Sequence, residues 1–221
     1  FNARMRARSL LLALLLPLCV VAPGCEQSRD PKTVEGALTL LAEKAAAHDA
    51  TWLYENASAR TRELTEQLHA ELVAQKGVID KKYDGAQKEA AKVAYPDELL
   101  AAEDPPALFA HLVKTELGGL DPADEGYIFG QRAAGSATID GEKATIANQA
   151  GEQIPFVLEG GVWRTSAFEE RLERNLGWAK ENRKTLDKNL EVIAELERRA
   201  KAKAAKAAAE APAEGEAPAP Q

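Results

Sequence analysis

Between Gly126 and Ser166 the apolar residues change period, and that change limits the fold more than any other feature of the chain. Tyr127-Ile128-Phe129, Ala137-Thr138-Ile139, Ala144-Thr145-Ile146 and Ile154 to Leu158 are short segments of period two, separated by turn residues. Asp140-Gly141 is the strongest hairpin signal, because glycine accepts the positive φ that such turns need. Gly160-Gly161 is a second hairpin turn and leads into Val162-Trp163-Arg164-Thr165. Pro155 has no N–H to give a ladder, so its strand is expected at an edge or with a bulge there. These residues predict an antiparallel sheet of roughly four or five strands.

Helical periodicity lies on both sides of this block. Asp30-Pro31 is a helix start, with Asp as N-cap and Pro at the first helical position. Val34, Leu38, Leu41 and Ala45 then form one stripe, which His48-Asp49 ends. Trp52-Leu53-Tyr54 is a short apolar segment. Ser58 caps a second long helix through Leu64, Leu68 and Leu72, with Gly77 as its expected stop. Asp80 to Ala94 is a weaker helix broken by Pro96. Asp104-Pro105-Pro106 opens another, carrying Leu108, Phe109, Leu112 and Val113 and stopping at Gly118-Gly119. Leu120 to Gly126 is a loop by composition.

From Phe168 the chain is helical again, with Leu172, Leu176, Leu186, Leu190, Ile193 and Leu196 as its apolar residues. Glu170–Arg174, Glu195–Arg199 and Glu197–Lys201 are i, i+4 pairs of favourable polarity. About 40 residues of helix would reach roughly 60 Å, longer than a domain of this size needs. Residues 209–221 are Ala, Pro, Glu and Gly, too poor in apolar bulk to fold. Helices first and strands afterwards give the α+β class: N-terminal helices on a curved antiparallel sheet, then a long C-terminal helix and a disordered tail.

The N-terminus carries an address. Arg4, Arg6 and Arg8 precede an unbroken apolar run, Leu10 to Ala22, which is too short to span a bilayer as a helix. Met5 is the expected start of translation. Val21-Ala22-Pro23-Gly24-Cys25 resembles the lipobox of bacterial lipoproteins, although that family prefers Leu where Ala22 stands and a small residue where Pro23 stands. In that family the cysteine thiol takes a diacylglycerol group and a peptidase cuts before it, so Cys25 is the expected lipid attachment residue. An ordinary secretory signal cut at the same bond and a retained helix are the alternatives. Glu26 rather than Asp follows the cysteine, which by the same resemblance favours the outer membrane, facing the periplasm.

Removal of residues 1–24 takes away three arginines and no acid, so the formal charge moves from −7 to −10. A chain that acidic is a poor nucleic-acid binder, and no nucleic-acid partner is expected. Cys19 leaves with the signal and Cys25 would carry lipid, so neither a disulfide nor a cysteine metal site is expected in the mature chain. The expected organisation is signal 1–24, lipidated cysteine and tether 25–30, α+β domain 31–167, long amphipathic helix with a basic end 168–208, and tail 209–221. The tether can span only about 20 Å fully extended, which holds the domain against the membrane.

The order of parts resembles the nuclear-transport-factor-two-like superfamily, the cone-shaped α+β fold. The resemblance covers roughly Pro31 to Ser166 and is carried by Ala47-His48-Asp49-Ala50 and Trp52-Leu53-Tyr54. Ser58, Thr61-Arg62 and the late hairpins ending in Gly160-Gly161-Val162-Trp163-Arg164 complete it. The helical stretch Gly77 to Gly119 and the long basic C-terminal helix depart from that pattern. The family implies a conical cavity, used by some members for isomerase or dehydratase chemistry and by many lipid-anchored ones for binding or assembly.

Enzymes on that fold need an Asp, His or Tyr in the cavity with a shifted pKa. The strands here offer Ala137, Ile139, Ala144, Ile146, Ile154, Phe156 and Leu158, while Asp140, Glu152 and Glu159 sit at turns. An apolar inner face favours packing or a greasy ligand over proton transfer; His48, Asp49 and Tyr127 are the residues that could still face a pocket. His48, His69 and His111 lie far apart, so no metal site is expected, and no cofactor either. Trp163 is expected in packing, and Thr138 and Thr145 are ordinary strand residues.

The basic helix end, Arg198 to Lys206, has five positive charges and no acid. It reads as solvated charge at the negative end of the helix dipole, as part of a protein contact through the Leu172–Leu196 stripe, or as a site for anionic lipid or cell-wall polymer. Arg183 and Glu197 interrupt the best heptad seam, through Leu176 and Leu190, so a clean coiled coil is not expected. The expected function is a lipid-anchored binding or assembly module without catalytic activity. A small isomerase- or dehydratase-type enzyme and a structural spacer are the alternatives.

Overall fold

The computed structural model describes residues 29–92, 97–115 and 134–210. The expected signal, Cys25, the Gly118-Gly119 stop, the Leu120 to Gly126 loop and the Tyr127-Ile128-Phe129 segment lie outside the described residues, as does the expected tail apart from Ala209 and Glu210, which are helical. Within them the chain is α+β, as its periodicities require: helices, a four-stranded antiparallel sheet, then one long helix.

The first helix, α1 (Val34–Ala46), starts later than expected. Asp30 and Pro31 form a turn instead, in which the Thr33 N–H reaches the Asp30 carbonyl at 3.0 Å. Thr33 is the N-cap, its hydroxyl accepting from the Gly36 N–H at 3.1 Å. That turn lies so close over the helix that a Cβ on Gly36 would stand 2.1 Å from the Asp30 carbonyl oxygen. His48 ends α1 with φ 54°, as the glycine of a Schellman motif would. The His48 N–H reaches the Ala45 carbonyl at 2.9 Å, and the Asp49 N–H reaches that of Lys44 at 3.0 Å. Asp49 at once caps α2 (Ala50–Asn56), which turns the expected apolar segment Trp52-Leu53-Tyr54 into a short helix.

Ser58 caps α3 (Ala59–Lys82) as expected, but Gly77 does not stop it. The helix continues because Ile79 is buried beyond the glycine and Tyr83, at its C-cap, is buried as well. The penalty of a mid-helix glycine, about 1 kcal/mol, is smaller than the gain from burying either side chain, about 1.5–3 kcal/mol. The weaker helix, α4 (Gly85–Lys92), therefore starts later than expected, and an unforeseen one-turn helix, α5 (Asp97–Ala101), follows. Asp104 accepts from the Ala107 N–H at 2.8 Å and starts α6 (Pro105–Thr115).

The strands β1 (Thr138–Asp140), β2 (Lys143–Ala147), β3 (Gln153–Glu159) and β4 (Val162–Thr165) form a simple meander, ordered as in sequence. Asp140 pairs with Lys143, so Gly141 is the first turn residue, at φ 60°. Gly160 and Gly161 both have positive φ, 60° and 82°, as a type I′ turn needs. β3 is central, which corrects the expectation of an edge or bulge at Pro155. Its register with β2 is unbroken, Thr145 opposite Pro155. The Pro155 carbonyl accepts from the Ser166 N–H at 3.0 Å, just past the end of β4, so the missing donor faces the same side and interrupts no ladder.

One sheet face is buried through Ala144, Ile146, Ile154, Phe156 and Trp163, with α1 lying across β2 and β4. Behind this layer Tyr54, Phe109 and Phe168 interlock: Tyr54 and Phe109 ring centres are 5.5 Å apart, and Phe109 meets Phe168 edge-on at 5.1 Å.

The long helix, α7 (Glu169–Glu210), has 42 residues, a length of about 63 Å at 1.5 Å per residue. It runs alongside α3 in the same direction, with Ser58 against Glu169 near the start and Tyr83 against Leu186 further on. Phe168, Leu172, Leu176, Ala179 and Leu186 are buried, so the first half of α7 is part of the domain core. Leu190 and Ile193 are half-buried; past them every residue but Glu195 is exposed as far as Ala209. The Glu170–Arg174 and Glu195–Arg199 pairs form as expected.

Candidate binding cleft

An open cleft of about 300 Å³ lies where α1, α2 and β4 meet. The helices contribute Ala37, Leu40, Leu41, Trp52 and Leu53; the sheet contributes Phe156, Val162 and Trp163. Pro31 closes one end, and its carbonyl accepts from the Trp163 N–H at 2.7 Å, which fixes the incoming chain beside β4. The polar lining groups are Asn56, Arg164 and Thr165. Asn56 donates to the Trp52 carbonyl at 3.0 Å, and Arg164 donates to the Glu55 carbonyl at 3.2 Å, with Glu159 3.8 Å away. Asn56 and Arg164 are thus held by backbone carbonyls, Thr165 is buried with its hydroxyl on the Pro155 carbonyl, and the walls are hydrocarbon and indole.

Trp52 is positioned from the turn before it. Asp49 accepts from its N–H at 3.1 Å and pairs with Lys44 at 2.9 Å, while the Lys44 ammonium sits 5.7 Å from the Trp52 ring centre. The hydrogen bond from Lys44, then that from the Trp52 N–H, holds the Asp49 carboxyl below its ordinary pKa of 3.8. The residue singled out as a possible acid–base group is thus a helix cap and ion-pair partner, and it does not line the cleft. His48 occupies the left-handed turn position. Tyr127 lies outside the described residues.

The other histidines stay apart: His69 lies 3.1 Å from the Ala102 carbonyl, and His111 is on α6. Among the described residues no three His, Cys, Asp or Glu side chains converge as a metal site would need. Trp163 is largely buried, at 8%, and is also a cleft wall, so packing and presentation are not exclusive. Thr138 and Thr145 lie on the outer sheet face, in a second, shallower depression of about 330 Å³ with Pro155 and Glu169.

Sequence reasoning missed Leu40, Asn56 and Arg164. Leu40 carried a signal, being a large apolar residue off the Val34–Leu38–Leu41–Ala45 stripe. Arg164 carried none, because alternation along a strand does not tell which rim a charged residue reaches. Among the described residues no helix is long and apolar enough to cross a membrane. Comparison with known proteins found no matching family model, no matching curated protein and no matching solved structure.

Proposed function

We propose that this chain is a lipid-anchored envelope protein, held by acyl chains on Cys25, whose domain binds a small apolar ligand or a partner's apolar side chains without catalysing a reaction. The observation that carries the binding role is the lining of the cleft: two tryptophans and a wall of Leu, Val, Phe and Ala, with no carboxylate or imidazole among them. Such a surface gains from removing water and offers no group to move a proton. The anchor rests on the sequence up to Cys25, and the resemblance to the cone-shaped superfamily stands as part of the same proposal.

The geometry suits an anchored protein. The chain comes in beside β4 at Pro31, and α7 begins four residues after β4 ends. An anchor at Cys25 therefore acts on the end of the domain where α7 starts, and the helix carries its far end about 60 Å along its own axis.

Affinity purification from detergent-solubilised membranes, with crosslinking and native mass spectrometry, tests the binding role. A retained hydrophobic compound or partner lost in Leu40→Glu supports it; none in either sample refutes it. Mass spectrometry of the cellular protein tests the anchor, and an unmodified Cys25 refutes it. The overhang of α7 favours a second reading, a spacer. For that role, deleting residues beyond Ile193 would abolish the cellular phenotype while the domain stays folded.

A further inference from the structure

The exposed half of α7 changes charge sign abruptly. From Asp187 to Glu197 it carries four acids (Asp187, Glu191, Glu195, Glu197) and one base, Lys188. From Arg198 to Lys206 it carries five bases and no acid. At this boundary lie two exposed apolar residues one turn apart, Val192 at 51% and Leu196 at 59%. Beyond it the residues between the bases are alanines, Ala200, Ala202, Ala204 and Ala205. Glu195, just before the boundary, pairs within its own helix to Arg198 and Arg199, whose side chains are 78% and 74% exposed. Exposed pairs of this kind contribute little and exchange easily.

We infer that this overhang is a self-association surface whose occupant is the same segment of a second copy, lying antiparallel. Turning one helix end for end about the boundary between Glu197 and Arg198 sets each acidic stretch on the partner's basic stretch. A parallel arrangement would set like on like, which charge patterning disfavours. Val192, Leu196, Ala200 and Ala204 follow one another at i, i+4, so the same rotation lays Val192 and Leu196 beside the partner's Ala200 and Ala204, where small side chains let the two helices approach. One two-fold axis satisfies both patterns, as an isologous contact requires. The interrupted heptad seam at Glu197 then lies where acid and base meet across the axis, so a long regular coiled coil is not needed.

The test uses the full chain with Cys19 and Cys25 changed to Ser, in non-ionic detergent. One variant carries Glu191→Lys, Glu195→Lys and Glu197→Lys; a second carries Arg198→Glu, Arg199→Glu, Lys201→Glu and Lys203→Glu. All these side chains but that of Glu195 are exposed, and circular dichroism confirms that the helix persists. The parent is expected to sediment as a dimer that dissociates at high salt, each variant alone as a monomer, and the mixture as a heterodimer. Orientation is read from single cysteines. Leu196→Cys, beside the axis, is expected to give a disulfide-linked dimer, whereas Val192→Cys and Lys203→Cys, both exposed and facing one another across the axis, do so only when mixed. A monomeric parent, variants that dimerise alone, efficient crosslinking of Val192→Cys with itself, or a basic stretch that binds anionic vesicles in place of its copy would each overturn the inference.

Discussion

The two halves of α7 are continuous in backbone and alike in helix-forming residues, yet they are held by different means. The first half is fastened to α3. Leu172 and Ala179 have no exposed surface, Gln75 donates to the Ala179 carbonyl at 2.6 Å, and the Tyr83 hydroxyl donates to the Leu186 carbonyl at 2.7 Å. The second half, from Ala194 onward, has alanine propensity and exposed ion pairs and touches little else. Helices in water that rely on propensity alone are marginal at about 12–15 residues. The comparison shows that apparent helix length in a sequence and fastened length in a domain are separate properties, and only burial decides the second.

Truncation separates the halves most sharply. A chain ending at Ser166 loses Phe168, Leu172 and Leu176 from the core and is expected to lose cooperative unfolding; one ending at Ile193 should keep its melting temperature within a few degrees. Circular dichroism melts read both. Equal behaviour would erase the distinction. Leu172→Ala comes next, at about 2–5 kcal/mol of destabilisation in urea titration, while Leu196→Ala should cost under about 0.5 kcal/mol in the monomer.

Tyr83→Phe removes the hydroxyl that reaches Leu186 and should cost about 0.5–1.5 kcal/mol, with faster amide exchange near Leu186 and none of that change at Leu196. Gly77→Ala has the opposite sign. Nothing lies within 4 Å of the added Cβ and the backbone is ordinary helix, so it should stabilise α3 by about 0.5–1 kcal/mol.

The smallest effect belongs to an exposed pair, Asp80 with Lys88 at 2.8 Å, which ties α4 to α3. The hydrogen bond from Lys88 lowers the Asp80 pKa from its ordinary 3.8. A lowered carboxyl contributes stability above the unfolded pKa and loses it as pH falls through the folded one. Asp80→Asn should therefore melt slightly below the parent at neutral pH, and the gap should close as pH falls below 3.8.

The class of fold was legible in the change of period, and both glycine turns were legible because positive φ has a strong residue signature. Ser58 and Asp104 were legible as caps for the same reason: the chemistry is local. The errors at Gly77 and Pro155 share a cause. Each residue has a local penalty that the sequence displays, and each is overruled by a partner far along the chain, Tyr83 with Leu186 in one case and the end of β4 in the other. The cleft was legible only in part. Trp163 stood out and Leu40 was passed over, and their convergence depends on how α1 crosses β4, since no short-range pattern encodes a crossing.

Ser58 meets Glu169 across 111 residues, so α3 is made long before the helix that covers it. During synthesis, and again after any passage through a membrane in the extended state, the stripe Leu64–Leu68–Leu72 waits uncovered while the strands are still to come. Loop closure of that length makes the docking of α7 a late and slow event, and until it occurs the half-made domain displays a surface to which other half-made chains adhere. A chaperone that holds this protein would therefore be expected to grip α3, and to let go when α7 arrives.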